Sequence, residues 1–159
     1  MATAITPIAT YTVASALNTV VFSSIPGTYQ DLMLTVRGPI TTSGSLISFK
    51  SGATTTWRTW ISSYGAGSTL ITGTGTSNQF YSQTGSSPTD VAMEVHIFDY
   101  AQTNKVKPVT MQDSGGTNNA SMTIGFIDTT SAISSLTVLT YGGSTLAAGM
   151  TINLYGVSA

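Results

Sequence analysis

Apolar and polar residues alternate along much of this chain. Five segments show the alternation most clearly, namely 31–37, 91–97, 121–126, 135–138 and 150–154. In the first of them, Leu32, Leu34 and Val36 occupy every second position. Because successive side chains of a strand point to opposite faces, each segment predicts a strand with one buried face.

Weaker strand patterns fill most of the remaining chain. They cover 8–13, 19–23, 46–50, 57–62, 70–73, 79–82 and 107–112, and Gly- or Pro-containing turn signals separate them. Two further short segments are interpreted as connections: 73–75 as a turn and 113–116 as a hairpin. Abundant β-branched residues and Ser disfavour helix, so at most single helical turns are expected near 14–18 and 26–29. Short strands at regular spacing predict an all-β fold, an antiparallel β-sandwich with little or no helix.

The length of 159 residues corresponds to one domain, 1–159. Residues 1–18 are left open as either an N-terminal arm or an edge strand. The Gly-, Ser- and Thr-rich stretch 41–87 carries several aromatic residues, and this density argues for ordered structure rather than a linker.

The composition predicts an unusual surface for this fold. Hydrophobic residues make up 41% of the chain but charged residues only 7%, and Ser and Thr together account for nearly a third. Removing a hydroxyl from water costs far less free energy than removing a charge, so such a surface suits extended contact with other protein. The chain also has few charges with which to protect its edge strands, which predicts that copies of the chain cover them in a homo-oligomer.

Charge and cysteine content exclude several classes of partner. The five basic residues are scattered, so the sequence predicts neither nucleic-acid binding nor attachment to a membrane. With no cysteine there is no disulfide and no sulfur-ligated metal. The N-terminus lacks the basic start and apolar stretch of a signal peptide, which predicts a protein that acts without export.

Residues capable of catalysis are few. His96, the single histidine, shares a strand face with Glu94, but two such groups do not complete a zinc site. Asp99 and Asp128 both end apolar strands and form the least implausible pair for glycoside hydrolysis, although an Asp in that position more often starts a turn. The sequence therefore predicts no enzyme, no metal and no cofactor.

A set of aromatic residues is the candidate binding site. Its members are Trp57, Trp60, Tyr64, Phe80 and Tyr81. Such residues stack on sugar rings, but they also fill the cores and the subunit interfaces of β-sandwiches. A core or interface role is favoured, since no acidic or amide cluster accompanies them in the sequence.

Three segments resemble small β-sandwich virion proteins of tailed bacteriophages, especially marine and cyanobacterial ones. They are 22–32 (FSSIPGTYQDL), 97–105 (IFDYAQTNK) and the C-terminal part from 133–136 (ISSL) through Gly149 to Leu154-Tyr155-Gly156. The resemblance extends by pattern from about residue 19 to the C-terminus and is specific in these segments.

The resemblance implies a jelly-roll-like fold and a place in the virion after assembly in the host cytoplasm, with no catalytic residues to carry over. The chain has no fibre shaft, coiled coil or collagen-like segment, which favours a capsid decoration (cement) protein. Its expected partners are copies of itself, most plausibly in a trimer, and the major capsid protein or another virion protein. A tail-fibre or glycan-binding module is the alternative.

Overall fold

The computed structural model describes residues 4–41, 46–52, 58–66, 69–77, 79–82, 90–115, 119–141 and 144–158, with the backbone alone described at 46, 58–66, 69–76 and 119. These residues form twelve strands and no helix, which confirms the all-β prediction. It follows that the described segments contain no helix long and apolar enough to cross a membrane. All twelve predicted strand positions are occupied by a strand, although several strands are longer than the patterns that predicted them.

The strands form two antiparallel sheets. The large sheet runs in the order β1 (Ala4–Thr12), β12 (Thr151–Ser158), β3 (Asp31–Pro39), β8 (Asp90–Ile97), β9 (Lys107–Gly115), β10 (Asn119–Ile127), β5 (Arg58–Ala66), β6 (Thr69–Ser77). The small sheet runs in the order β2 (Thr19–Phe22), β11 (Leu136–Tyr141), β4 (Leu46–Ser51), β7 (Phe80–Tyr81). The N-terminal segment thus supplies an edge strand, β1.

The strand order is that of a jelly roll with two inserted hairpins. Without β5–β6 and β9–β10, the sheets read β1-β12-β3-β8 and β2-β11-β4-β7. Within this set of eight strands, every connection crosses from one sheet to the other except that between β4 and β7. This is the double Greek key of a jelly roll. The two hairpins pair with each other through β10 and β5, and so extend the large sheet by four strands.

The core lies between the sheets and follows the alternation of the sequence. On β3, the side chains of Leu32, Leu34 and Val36 are fully buried. On the small sheet, Phe49 and Phe80 are buried and stack with ring centroids 5.1 Å apart. On these strands the period of two decides which residues enter the core and which form the outer face.

On β10 the predicted face is wrong. Met122 and Ile124 are exposed, whereas Ser121 and Thr123 are buried, and the Ser121 hydroxyl donates to the carboxylate of Asp113 there.

Backbone hydrogen bonds join the loops at one end of the sandwich. The N–H of Ile25 donates to the carbonyl of Ser134 at 2.9 Å, and the N–H of Ile133 donates to that of Tyr100 at 2.9 Å. The buried Tyr100 hydroxyl donates to the carbonyl of Pro26. Burial raises the pKa of Tyr100, and the nearby Tyr29 opposes part of this rise through a backbone hydrogen bond. The loops at 25–26, 100 and 133–134 therefore meet in space and organise this end of the fold.

Two predicted connections lie wholly or partly within strands. Residues 73–75, expected as a turn, lie within β6, which pairs with β5 without a break in register. The hairpin expected at 113–116 exists as β9 and β10, which pair along their whole length, but residues 113–115 belong to β9 and the connection itself lies outside the described residues.

Candidate functional site on the outer face of the large sheet

The outer face of the large sheet is the side turned away from the core. Thr35, Glu94, Gln112 and Met122 are cross-strand neighbours on β3, β8, β9 and β10. Directly opposite residues of antiparallel strands have their Cβ atoms about 4.5–5.5 Å apart. These four side chains therefore form a row across the sheet that combines a carboxylate, an amide and an apolar group.

An open groove of about 720 Å³ lies beside this row. Ala92, Ser114 and Ala120 are neighbours in the adjacent row, and their small side chains leave space between Arg37 and Met122. Glu94 and Gln112 also line the groove. It thus offers a guanidinium, a carboxylate, an amide and a hydroxyl to a ligand.

Apolar side chains are exposed on β10 next to the groove. Met122 is 44% exposed and Ile124 is 52% exposed. Both point outward because they alternate with the buried Ser121 and Thr123. We call this pair, Met122 and Ile124, the β10 strip. A large exposed apolar group on a sheet face is a candidate contact with another protein.

His96 has a different carboxylate neighbour from the one the sequence suggested. Its Nε2 lies 3.5 Å from Oδ2 of Asp31, and its ring stacks on Phe98 with centroids 4.2 Å apart. The other oxygen of Asp31 accepts the backbone N–H of Asp99 at 2.8 Å. Glu94 and His96 do share the outer face, as predicted, but the carboxylate within ion-pair distance of the histidine is that of Asp31, which binds the loop after β8.

Asp99 occupies a turn. Its φ is 52°, its carbonyl accepts the N–H of Gln102 at 3.0 Å, and its carboxylate pairs with Lys105 at 2.7 Å. Asp128 is exposed at the end of β10. The described residues include no group of three or more His, Cys, Asp or Glu side chains that could hold a metal ion. The contacts of Asp99 are those of a turn residue.

Lys107 is the one lysine with a fully buried side chain among the described residues. It begins β9 on the same face as Val109 and Met111, so its stem enters the core. Its Nζ donates to the carbonyls of Gln102 and Lys105 at 2.6 and 2.7 Å, and to those of Thr129 and Thr130 at 3.3 Å each. Burial lowers the pKa of Lys107, as does the charge of Lys105, while Asp99 opposes both. The lysine joins two loops and has a structural role.

The predicted aromatic set divides among several environments. Phe80 belongs to the core, so it cannot contribute to an exposed stacking platform. Tyr81 is half-buried, meets Tyr141 edge to face at 5.2 Å, and accepts a hydrogen bond from Gln79 Nε2 at 2.6 Å. Trp60 and Tyr64 lie on β5 in register with Gly125 and Ser121. The fifth member, Trp57, lies outside the described residues.

Sequence reasoning did not identify the groove. Its polar members Arg37, Glu94 and Gln112 occupy outward positions of three strands that the sequence predicts separately. What brings Arg37 beside Ala92 is the pairing of β3 with β8, two strands that are separated by about a third of the chain.

Comparison with known proteins gives no assignment: no family model, no curated protein and no solved structure matches this chain.

Proposed function

We propose that this protein is a structural component of a bacteriophage virion, a decoration protein that binds the capsid and stabilises it by bridging capsomers. The observation that carries the proposal is the outer face of the large sheet, where the exposed β10 strip lies on a surface rich in uncharged side chains. Protein interfaces are depleted of charge at their centres and enriched in such apolar groups.

The chemistry of the described side chains supports a binding role rather than catalysis. Asp31 and Asp99 are engaged with the loop after β8, and Lys107 is bound to four carbonyls. The resemblance to phage virion proteins supports the proposal that this protein belongs to a virion and binds its capsid. Loop residues from the segments that carry the resemblance lie near one another at one end of the sandwich.

The proposed mechanism is mechanical. Copies of the protein lie where capsomers meet and bury neutral and apolar surface on each side of the junction. Each square ångström of apolar surface removed from water contributes roughly 25 cal/mol. The stabilising free energy of the shell is therefore the sum over many copies of the same contact. Opening the shell against internal pressure then requires breaking every contact.

We expect the double variant Met122→Thr/Ile124→Thr to bind capsids about thirtyfold more weakly, because each of the two half-exposed side chains loses roughly 1 kcal/mol of burial on binding. Threonine suits a strand and should leave folding unchanged. The measurement is co-sedimentation of purified protein with capsids that lack it.

The matched control is Val21→Thr, which removes a comparably exposed apolar group, 58% exposed, from β2 of the small sheet. Its binding should equal that of the wild type. Wild-type protein that fails to bind capsids at stoichiometric ratios, or that binds only at the tail, would reject the proposal.

The groove beside the β10 strip favours a second candidate function, glycan binding by a tail-fibre or receptor-binding module. Its Arg37, Glu94 and Gln112 side chains are of the types that bond sugar hydroxyls. If this function holds, Gln112→Ala should weaken binding to a bacterial polysaccharide on a glycan array about tenfold, since a bond to a charged or polar partner is worth ~1–2 kcal/mol. Lys50→Ala on the small sheet is the control, and equal losses for both variants would contradict this function.

A further inference from the structure

The four sheet edges of this protein are not protected equally. An edge strand presents unpaired backbone N–H and C=O groups, and natural proteins prevent unwanted pairing by shortening the strand or by adding charge, Pro or a bulge. The edges of the small sheet are short: β2 has four residues and β7 has two. At one edge of the large sheet, β1 contains Pro7, and its register shifts between Pro7 and Ala9.

The remaining edge, β6, has none of these features. It is nine residues long, Thr69–Ser77, with neither charge nor proline. It pairs with β5 in unbroken register, and within the described part of the chain β5 is its single neighbour. Alternate backbone groups of β6 therefore point away from β5 and can pair with another strand.

We infer that β6 is an assembly edge that pairs antiparallel with β6 of a second copy around a twofold axis at Gly73. The sequence of the strand, TLITGTGTS, suits this arrangement. With the twofold axis at Gly73, Thr72 of one copy lies opposite Thr74 of the other. Thr69 of one copy likewise lies opposite Ser77 of the other. Threonine and serine pairs across strands are favourable, and no charges meet.

Pairing of this kind joins the two large sheets into one continuous sheet. The contact is isologous, because the same surface is used by both copies, and it therefore produces even-numbered assemblies. A trimer, as expected from the phage resemblance, is not the product of this contact alone. The inference goes beyond the proposed function, because it concerns self-association and does not depend on capsid binding.

Cysteine cross-linking tests the pairing directly, since the chain has no cysteine of its own. In antiparallel pairs, opposite Cα atoms lie about 4.5–5.5 Å apart, within the range that a disulfide spans. Under mild oxidation, Gly73→Cys should therefore form a covalent dimer in more than half of the molecules. The matched control is Thr6→Cys, on the β1 edge, which should give less than a tenth as much.

A second variant keeps the test independent of the disulfide. Gly73→Lys places like charges opposite each other at the axis, so its mass by light scattering should fall from twice 16.4 kDa to that of one chain. An unchanged circular dichroism spectrum would show that the variant still folds.

Three results would overturn the inference: a wild-type protein that is monomeric or trimeric at micromolar concentration, equal cross-linking at positions 6 and 73, or cross-linking at 73 only to a capsid protein. Capsid co-sedimentation is measured separately. If the dimer forms but capsids are not bound, the proposed function fails and the pairing of β6 stands.

Discussion

Replacing Lys107 with methionine should lower the free energy of unfolding by about 1.5–3 kcal/mol, the range typical of hydrogen bonds to a charged group. The ammonium group is bound to four backbone carbonyls from two loops. Methionine keeps most of the apolar stem but leaves the four carbonyls without their donor. The residues that carry these carbonyls are exposed or half-buried, so water replaces part of the lost bonding. Urea unfolding followed by tryptophan fluorescence measures the change.

Lys105→Met is the matched control for that experiment. Lys105 pairs with Asp99 at 2.7 Å, but its side chain is 51% exposed. Exposed ion pairs contribute about 0–1 kcal/mol, so this variant should be nearly as stable as the wild type. Equal losses in the two variants would show that the carbonyl contacts of Lys107 do not stabilise the fold.

A methyl group at position 38 should destabilise the protein by about 3 kcal/mol or more, through two effects. Gly38 has a φ of 129°, which L-residues rarely adopt. An added Cβ would also lie 2.7 Å from the Cα of Met150. That backbone cannot easily move, because Met150 is buried and its carbonyl accepts the N–H of Val13 at 2.8 Å. Thermal and urea unfolding of Gly38→Ala provide the measurement.

Gly149→Ala separates strain from steric overlap. Gly149 has a φ of 92°, but no atom lies within 4 Å of the position of an added Cβ. Only the conformational cost, about 1–2 kcal/mol, is expected there. If Gly38→Ala is no more destabilising than Gly149→Ala, the close approach of Met150 is not a constraint on this fold.

The local pattern was sufficient to locate strands but not to delimit them. The pattern at 70–73 predicted a four-residue strand followed by a turn, whereas β6 continues to Ser77. Two glycines in 73–75 gave a strong local turn signal. Pairing with β5 outweighs that signal, because β-propensity depends on the neighbouring strand as much as on the residue itself.

The candidate sites were less predictable than the strands. Of the aromatic set, Phe80 proved to be a core residue stacked on Phe49, a fact that depends on β4 and β7 pairing across the inserted β5–β6 hairpin. The outer-face groove likewise combines Arg37 of β3 with residues of β8, β9 and β10. The spacing of residues in the sequence does not show which distant strands pair with each other.

By itself, the sequence determined that this protein is built from strands and, on four of the five most clearly patterned ones though not on β10, which side faces the core. Both follow from a two-residue period that acts locally, through the geometry of the extended backbone. The tertiary structure alone decided the jelly-roll order, the extension of the large sheet by two hairpins, and the position of β6 at an edge of the large sheet as far as the residues are described. These depend on which distant strands exchange hydrogen bonds, and backbone hydrogen bonds do not distinguish one neutral strand from another.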